Sequence, residues 1–156
     1  MNRFLFRAAL CTAALSLAAC SAEGGPGPSL SGDEDPNATI FLARDSEPNG
    51  YMEALYVGAV LRDAQGCLRT ADTGVGATIV WPTGFTLAAH GSGLFVHNAE
   101  GELVGQVDHG TVRMGGGFIR DISSATVLSE KKKALAVSKC PGDYWIAGEV
   151  DTAAGR

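Results

Sequence analysis

Residues 93–107, GLFVHNAEGELVGQV, place two short β-rich runs on either side of Asn98-Ala99-Glu100-Gly101. Two such runs joined by four residues of turn chemistry form a β-hairpin. The same punctuation continues in both directions. From Tyr51 to Val150, roughly ten clusters of Gly, Pro, Asp or Asn separate short β-rich runs. Ala54–Leu61 (ALYVGAVL) reads as a strand ending in the turn Asp63-Ala64-Gln65-Gly66, and Cys67–Arg69 opens the next. Ala77–Trp81 is stopped by Pro82, Thr111–Met114 runs into Gly115-Gly116-Gly117, Phe118–Ile122 resumes the pattern, and Tyr144–Val150 closes it. Only Ser129–Val137 reads as helix, with Ser129 as N-cap.

No segment sustains a 3.6-residue period, so layers of helix on sheet are not expected. Roughly five to seven short strands must then wrap one core, and the expected class is all-β: a small closed OB-like barrel or a compact sandwich. Gly58, Gly105 and Gly148 lie inside strands, where tight barrels need bends and bulges. Val57-Gly58-Ala59-Val60 and Ala147-Gly148-Glu149-Val150 look alike, which predicts that the first and last strands pair and seal the barrel.

The chain has 156 residues, 46% of them hydrophobic, which is enough for one domain. Its formal net charge is −5. An acidic chain lacks the basic face a phosphate-backbone binder needs, so nucleic acid is not an expected partner.

The N-terminus reads as an address. Arg3 and Arg7 precede an apolar run, Ala8–Ala19, that is shorter than the roughly 20 residues needed to span a bilayer. That is the form of a secretory signal peptide. Its end, Leu17-Ala18-Ala19-Cys20, resembles the lipobox of bacterial lipoproteins. The resemblance implies cleavage between Ala19 and Cys20 and acylation of the Cys20 thiol, so that membrane lipid becomes a partner through the attached chains. Two or more acyl chains anchor stably where one does not. Ser21 is not the aspartate that retains many such proteins at the inner membrane, which favours the outer membrane in a Gram-negative envelope.

Ser21–Pro36 is rich in Gly, Pro, Ser and acids and reads as a flexible tether. Thr39–Ala43 (TIFLA) is apolar enough to dock on the domain that follows. The expected organisation is signal peptide 1–19, lipidated cysteine and tether 20–50, β-barrel domain 51–151 and a tail 152–156.

With Cys11 removed and Cys20 lipidated, Cys67 and Cys140 remain. An even pair in an oxidising compartment reads as one disulfide. Metal-ligand or redox thiols usually come with a close C-x-x-C partner, which neither cysteine has.

Gly66-Cys67-Leu68, Val80-Trp81-Pro82 with Gly84, Gly110, Val112, Gly115-Gly116-Gly117, the run Cys140–Trp145 and Gly148 together resemble a group of small secreted bacterial domains. These occur in lipoproteins and exported proteins. The shared residues are framework residues, so the resemblance implies a disulfide-stapled β-domain and no catalytic group.

Candidates for chemistry are sparse. His90 lies two residues from Ser92, but Gly91-Ser92-Gly93 is not the strand-to-helix elbow of a serine hydrolase. His90, His97, His109 and Asp108 lack the regular spacing of a zinc site. No cofactor or metal is therefore expected, and no catalytic residue is assigned. For binding, the candidates are Lys131-Lys132-Lys133, which could meet an envelope protein or a glycan, and Trp81 with Trp145 if both face solvent. The expected function is a lipid-anchored envelope lipoprotein whose β-domain is a binding or structural module and not an enzyme. The alternative is a small hydrolase built on loop histidines. The hydrolase requires at least two of His90, Ser92, His97, Asp108 and His109 to converge in one pocket, whereas a binding module predicts an exposed aromatic or lysine-rich face and dispersed histidines.

Overall fold

The computed structural model describes residues 38–50, 52–71 and 76–152. Ala19, Cys20 and the stretch 20–37, on which the signal, lipidation and tether expectations fall, lie outside the described residues. The strands among them, in chain order, are β1 (Leu42–Ala43), β2 (Ala54–Arg62), β3 (Leu68–Thr70), β4 (Thr78–Trp81), β5 (Thr86–His90), β6 (Gly93–His97), β7 (Leu103–Gln106), β8 (Thr111–Ile119) and β9 (Tyr144–Thr152). A 3₁₀ turn at Ile122–Ser124 and one helix, α1 (Glu130–Lys139), separate β8 from β9.

Five of these strands close into a barrel in the order β4-β3-β2-β8-β9 and back to β4. The first three form an antiparallel meander, and the last strand returns parallel to the third, with Thr78, Ile79 and Val80 opposite Tyr144, Trp145 and Ile146. This is the all-β, OB-like closed barrel expected from the strand pattern. The seal differs from expectation. β2 does not pair with β9, because β8, nine residues long, lies between them and pairs with both. The two glycines serve different ends: Gly58 leaves room for the Tyr56 side chain, and Gly148 lies where the β8–β9 register shifts.

The barrel interior is filled by Tyr56, Val60, Leu68, Ile79, Trp81, Val112, Met114, Trp145 and Val150. Tyr56 spans the interior along its own strand: its hydroxyl donates to the Ala59 carbonyl at 2.6 Å and accepts from the Ala71 N–H at 2.8 Å. Gly58 is required for this, since a Cβ there would collide with the Tyr56 ring and hydroxyl. The sheet β5-β6-β7 adds Val96, Val104 and the adjoining Val107 to the same core. Its β6–β7 turn is the expected one, closed by Asn98 N–H to Glu102 O at 2.9 Å. β5 was not foreseen, and Thr86–His90 carries little alternation to reveal it.

A second core lies outside the barrel wall. Leu42, Val80, Ile122, Val127, Leu128, Ala136, Tyr144 and Ile146 pack beneath α1. Consequently every residue of β3 and β4 is buried. β1 continues this cover: Leu42 and Ala43 pair in parallel with Val80 and Trp81, and Ile40 bridges to Cys67. The apolar segment 40–43 thus forms part of the folded unit. Lys132 then ties α1 to it, donating from Nζ to the Ala43 carbonyl and the Asp45 carboxylate, each at 2.6 Å.

Cys67 and Cys140 are joined by a disulfide across 73 residues. Arg69 reinforces the same corner. Its guanidinium pairs with Asp63 and donates to the carbonyls of Gly76 at 3.1 Å and Pro141 at 3.2 Å. Burial alone would raise the Asp63 pKa, but hydrogen bonds from Arg69 and from the N–H groups of Cys67 and Gln65 outweigh it and hold the carboxyl below the ordinary range.

Two outcomes follow from this corner. Replacing Cys67 and Cys140 together by serine is expected to lower unfolding stability by roughly 4 kcal/mol, read by urea denaturation, because the released loop is long. The Asp63 contribution has the sign of a carboxylate lowered in the folded state. It is fully present above about pH 4 and is lost as pH falls through the folded value. Urea midpoints of the native chain should therefore decline below about pH 4, and Asp63→Asn should flatten that decline.

Candidate functional site

An OB-like barrel commonly offers the outer face of its second and third strands to oligosaccharides or oligonucleotides. Here those strands are β3 and β4, and both are covered. That face is closed to a ligand in this chain.

The two tryptophans do not supply another. Trp81 is sealed between Phe41 and Phe85, with ring centroids 5.7 and 6.2 Å away. Trp145 packs edge-on to Phe118 at 4.8 Å and beside Tyr56 at 6.0 Å. Both are buried and contribute to the barrel core, not to a surface patch. The lysine run is also divided. Lys132 is committed to Asp45 and Ala43, Lys133 pairs with Glu130 at 2.9 Å, and Lys131 is exposed. The long apolar side chains that are exposed on β2 are aliphatic: Leu55, Val57 and Leu61.

The residue that stands out is one the sequence reading passed over. Arg44 follows β1, and its backbone N–H is fixed by the Trp81 carbonyl at 2.9 Å. Its side chain is 2% exposed. Nη2 donates to Glu47 at 3.1 Å, while Nε and Nη1 have no acceptor among the described residues. A buried guanidinium with two idle nitrogens is costly, because buried polar groups are almost always hydrogen-bonded.

Arg44 is among the residues that line a cleft of about 490 Å³. Its surface is made by Met52, Pro82, Gly115, Gly116, Gly148 and Glu149 together with Arg44 and Glu47. A side recess of about 40 Å³ adjoins it, again against Arg44, Gly116 and Gly148. The glycines are there because the β8–β9 ladder breaks. Met114 faces Val150 and Gly116 faces Ala147, so Gly148 and Glu149 together oppose Gly115. Bulges of this kind are frequent beside functional sites, where they re-aim the chain. Gly116 has φ +146°, and a Cβ there would strike the Ile146 carbonyl and approach Trp145 Nε1 to 3.0 Å. At Gly116 the chain is bare backbone by steric necessity.

The chemistry-bearing loop residues gather elsewhere. Ser92, Asp108 and His109 line a second cleft of about 260 Å³ with Arg62, whereas His90 and His97 are not part of it. All three are exposed. Asp108 sits at φ 65°, its carboxylate accepting from the Arg62 backbone N–H at 2.9 Å and its own N–H donating to the Val60 carbonyl at 2.8 Å. Among the described residues no hydrogen bond joins Ser92, His109 and Asp108, so the relay a nucleophilic serine requires is not assembled. No group of three metal-ligating side chains is found among the described residues either. No described helix is long and apolar enough to cross a membrane.

No family model, curated protein or solved structure matches the chain.

If Arg44 served only the fold, removing it would cost several kcal/mol. Glu47, its partner, is 59% exposed on its side chain and needs no compensation once alone. Arg44→Met should therefore leave unfolding stability within about 1 kcal/mol of the native chain, or raise it, because it removes a buried charge with two unmet N–H groups and leaves Glu47 in contact with water. A loss of about 3 kcal/mol or more in urea denaturation would make Arg44 a structural residue.

Proposed function

We propose that the protein is a lipid-anchored lipoprotein of a bacterial envelope whose barrel domain binds a small polar ligand and carries out no reaction on it. The observation that supports binding is a cleft lined by Gly115, Gly116, Gly148 and Glu149 together with Arg44, whose buried guanidinium has two nitrogens without acceptors. An open cleft with a few convergent polar groups is the common form of a ligand site. The anchor rests on Leu17-Ala18-Ala19-Cys20 and the apolar run before it.

A native mass spectrum of the full chain, extracted from a bacterial membrane without reductant, tests both halves. The expected mass begins at Cys20, carries acyl chains, lacks two hydrogens for the disulfide and includes a co-purified small molecule. A mass that retains residues 1–19 or has no lipid would remove the anchor. A bare, lipidated chain would count against a resident ligand.

A second reading has one observation in its favour, the convergence of Ser92, Asp108 and His109 on the smaller cleft. A hydrolase there would turn over a chromogenic ester and lose that turnover in Ser92→Ala. On the binding reading, native chain and Ser92→Ala are equally inactive.

A further inference from the structure

Closure of the barrel leaves a strand edge on the smaller sheet. Among the described residues β5 pairs with β6 alone, whereas β7, on the other side of that sheet, lies against β8 and β9. β5 and β6 are joined by Gly91-Ser92, with Gly91 at φ 59° and His90 opposite Gly93, which is a two-residue type II′ hairpin. The residues that flank such a turn exchange both hydrogen bonds, and bonded and non-bonded pairs alternate from there. His90, Ala88 and Thr86 therefore bond to β6. The N–H and C=O groups of Leu87 and Ala89 point the other way, to an edge with no partner strand among the described residues.

Native proteins usually guard such an edge with lysine, proline or a bulge. Thr86–His90 (TLAAH) has none of these, and all of it but Leu87 is exposed. Residues 73–99 contain no Asp, Glu, Lys or Arg, although the chain carries a formal net charge of −5. Two copies that repel elsewhere can meet here without charge facing charge. The strand is also its own complement. Turned end for end about Ala88, it sets Leu87 opposite Ala89 and Ala89 opposite Leu87, the residues whose backbone groups are free. An unrelated peptide would satisfy one such edge, whereas a second copy satisfies two at once. We propose that β5 pairs antiparallel with β5 of a second copy about a two-fold axis at Ala88, joining two three-stranded sheets into one. Five residues a side fall short of the roughly 20–30 of a stable interface, so the pairing is reversible. It is independent of what fills the cleft beside Arg44.

The test is single-cysteine cross-linking of the full chain in bacterial cells that express it, with diamide as oxidant and a non-reducing gel as readout. The native chain sets the background. Ala88 would face its own copy at a non-hydrogen-bonded position, where Cα atoms lie about 4.5 Å apart, within disulfide range. Ala89 would lie diagonal to its own copy at roughly 7–8 Å, beyond that range. Ala88→Cys should therefore give roughly fivefold more dimer than Ala89→Cys or His90→Cys. Adding Ala89→Pro should remove that excess while sparing the β6 ladder, because the Ala89 N–H does not join it. Ala89→Lys in the same background should remove it without altering the backbone. Equal dimer from all three cysteines marks random collision and overturns the pairing. So does an Ala88→Cys chain that stays monomeric, or a dimer that survives both Ala89 changes. A cross-linked band at a mass other than the dimer gives the edge to a different protein and overturns the second copy as its occupant.

Discussion

Three residues of parallel pairing, Thr78–Val80 against Tyr144–Ile146, turn an open sheet into a closed one. Without them β4 and β9 would each present an unpaired row of N–H and C=O groups. Closure also sets the geometry of everything around the barrel. It brings the Cys140 end of α1 against the start of β3, where the disulfide and Arg69 hold it. It places Tyr144 and Ile146 on the outer wall, where they become the floor of the second core. The cover over β3 and β4 follows from the same contact, and with it the loss of the face that barrels of this type usually leave open.

One cleft lies where the β8–β9 ladder cannot be regular. β8 pairs with β2 on one side and β9 on the other, and Gly116, where a Cβ would strike the Ile146 carbonyl, lets it lie close to β9. The bulge at Gly148-Glu149 absorbs the mismatch. Arg44 arrives there from outside the barrel strands, carried by β1 and fixed through the Trp81 carbonyl. The cleft is thus assembled from two distant stretches of chain, one bringing a charge and the other bare backbone. Neither stretch is a site by itself.

This explains what could be read in advance. The hairpin at Asn98–Gly101, the helix after Ser129 and the disulfide of Cys67 with Cys140 are legible because turn chemistry, capping and cysteine parity are local or countable. The β4–β9 pairing is not, since nothing in TIVW or YWIA names a partner more than sixty residues away in chain order. β8 is obscured by Gly115-Gly116-Gly117, which reads as a break although the strand runs through it. Arg44 looks like one charge near a tether. Yet Ile40, Leu42 and Arg44 alternate, and that period places the arginine on the same side as the buried Leu42. The tryptophans mislead in the opposite direction, because aromatic residues suit a core as well as a binding face.

The position of β9 in the chain has a kinetic side. A polypeptide emerges N-terminus first, whether from a ribosome or through a translocation channel. β2, β3, β4 and β8 can pair among themselves as they appear, but β4 and β8 keep open edges until Tyr144–Thr152 has followed. Pairings this far apart in sequence are slow to form, and open strand edges invite association with other chains. The interval between release of β8 and arrival of β9 is therefore the time when this protein is most exposed to aggregation and has most need of a chaperone.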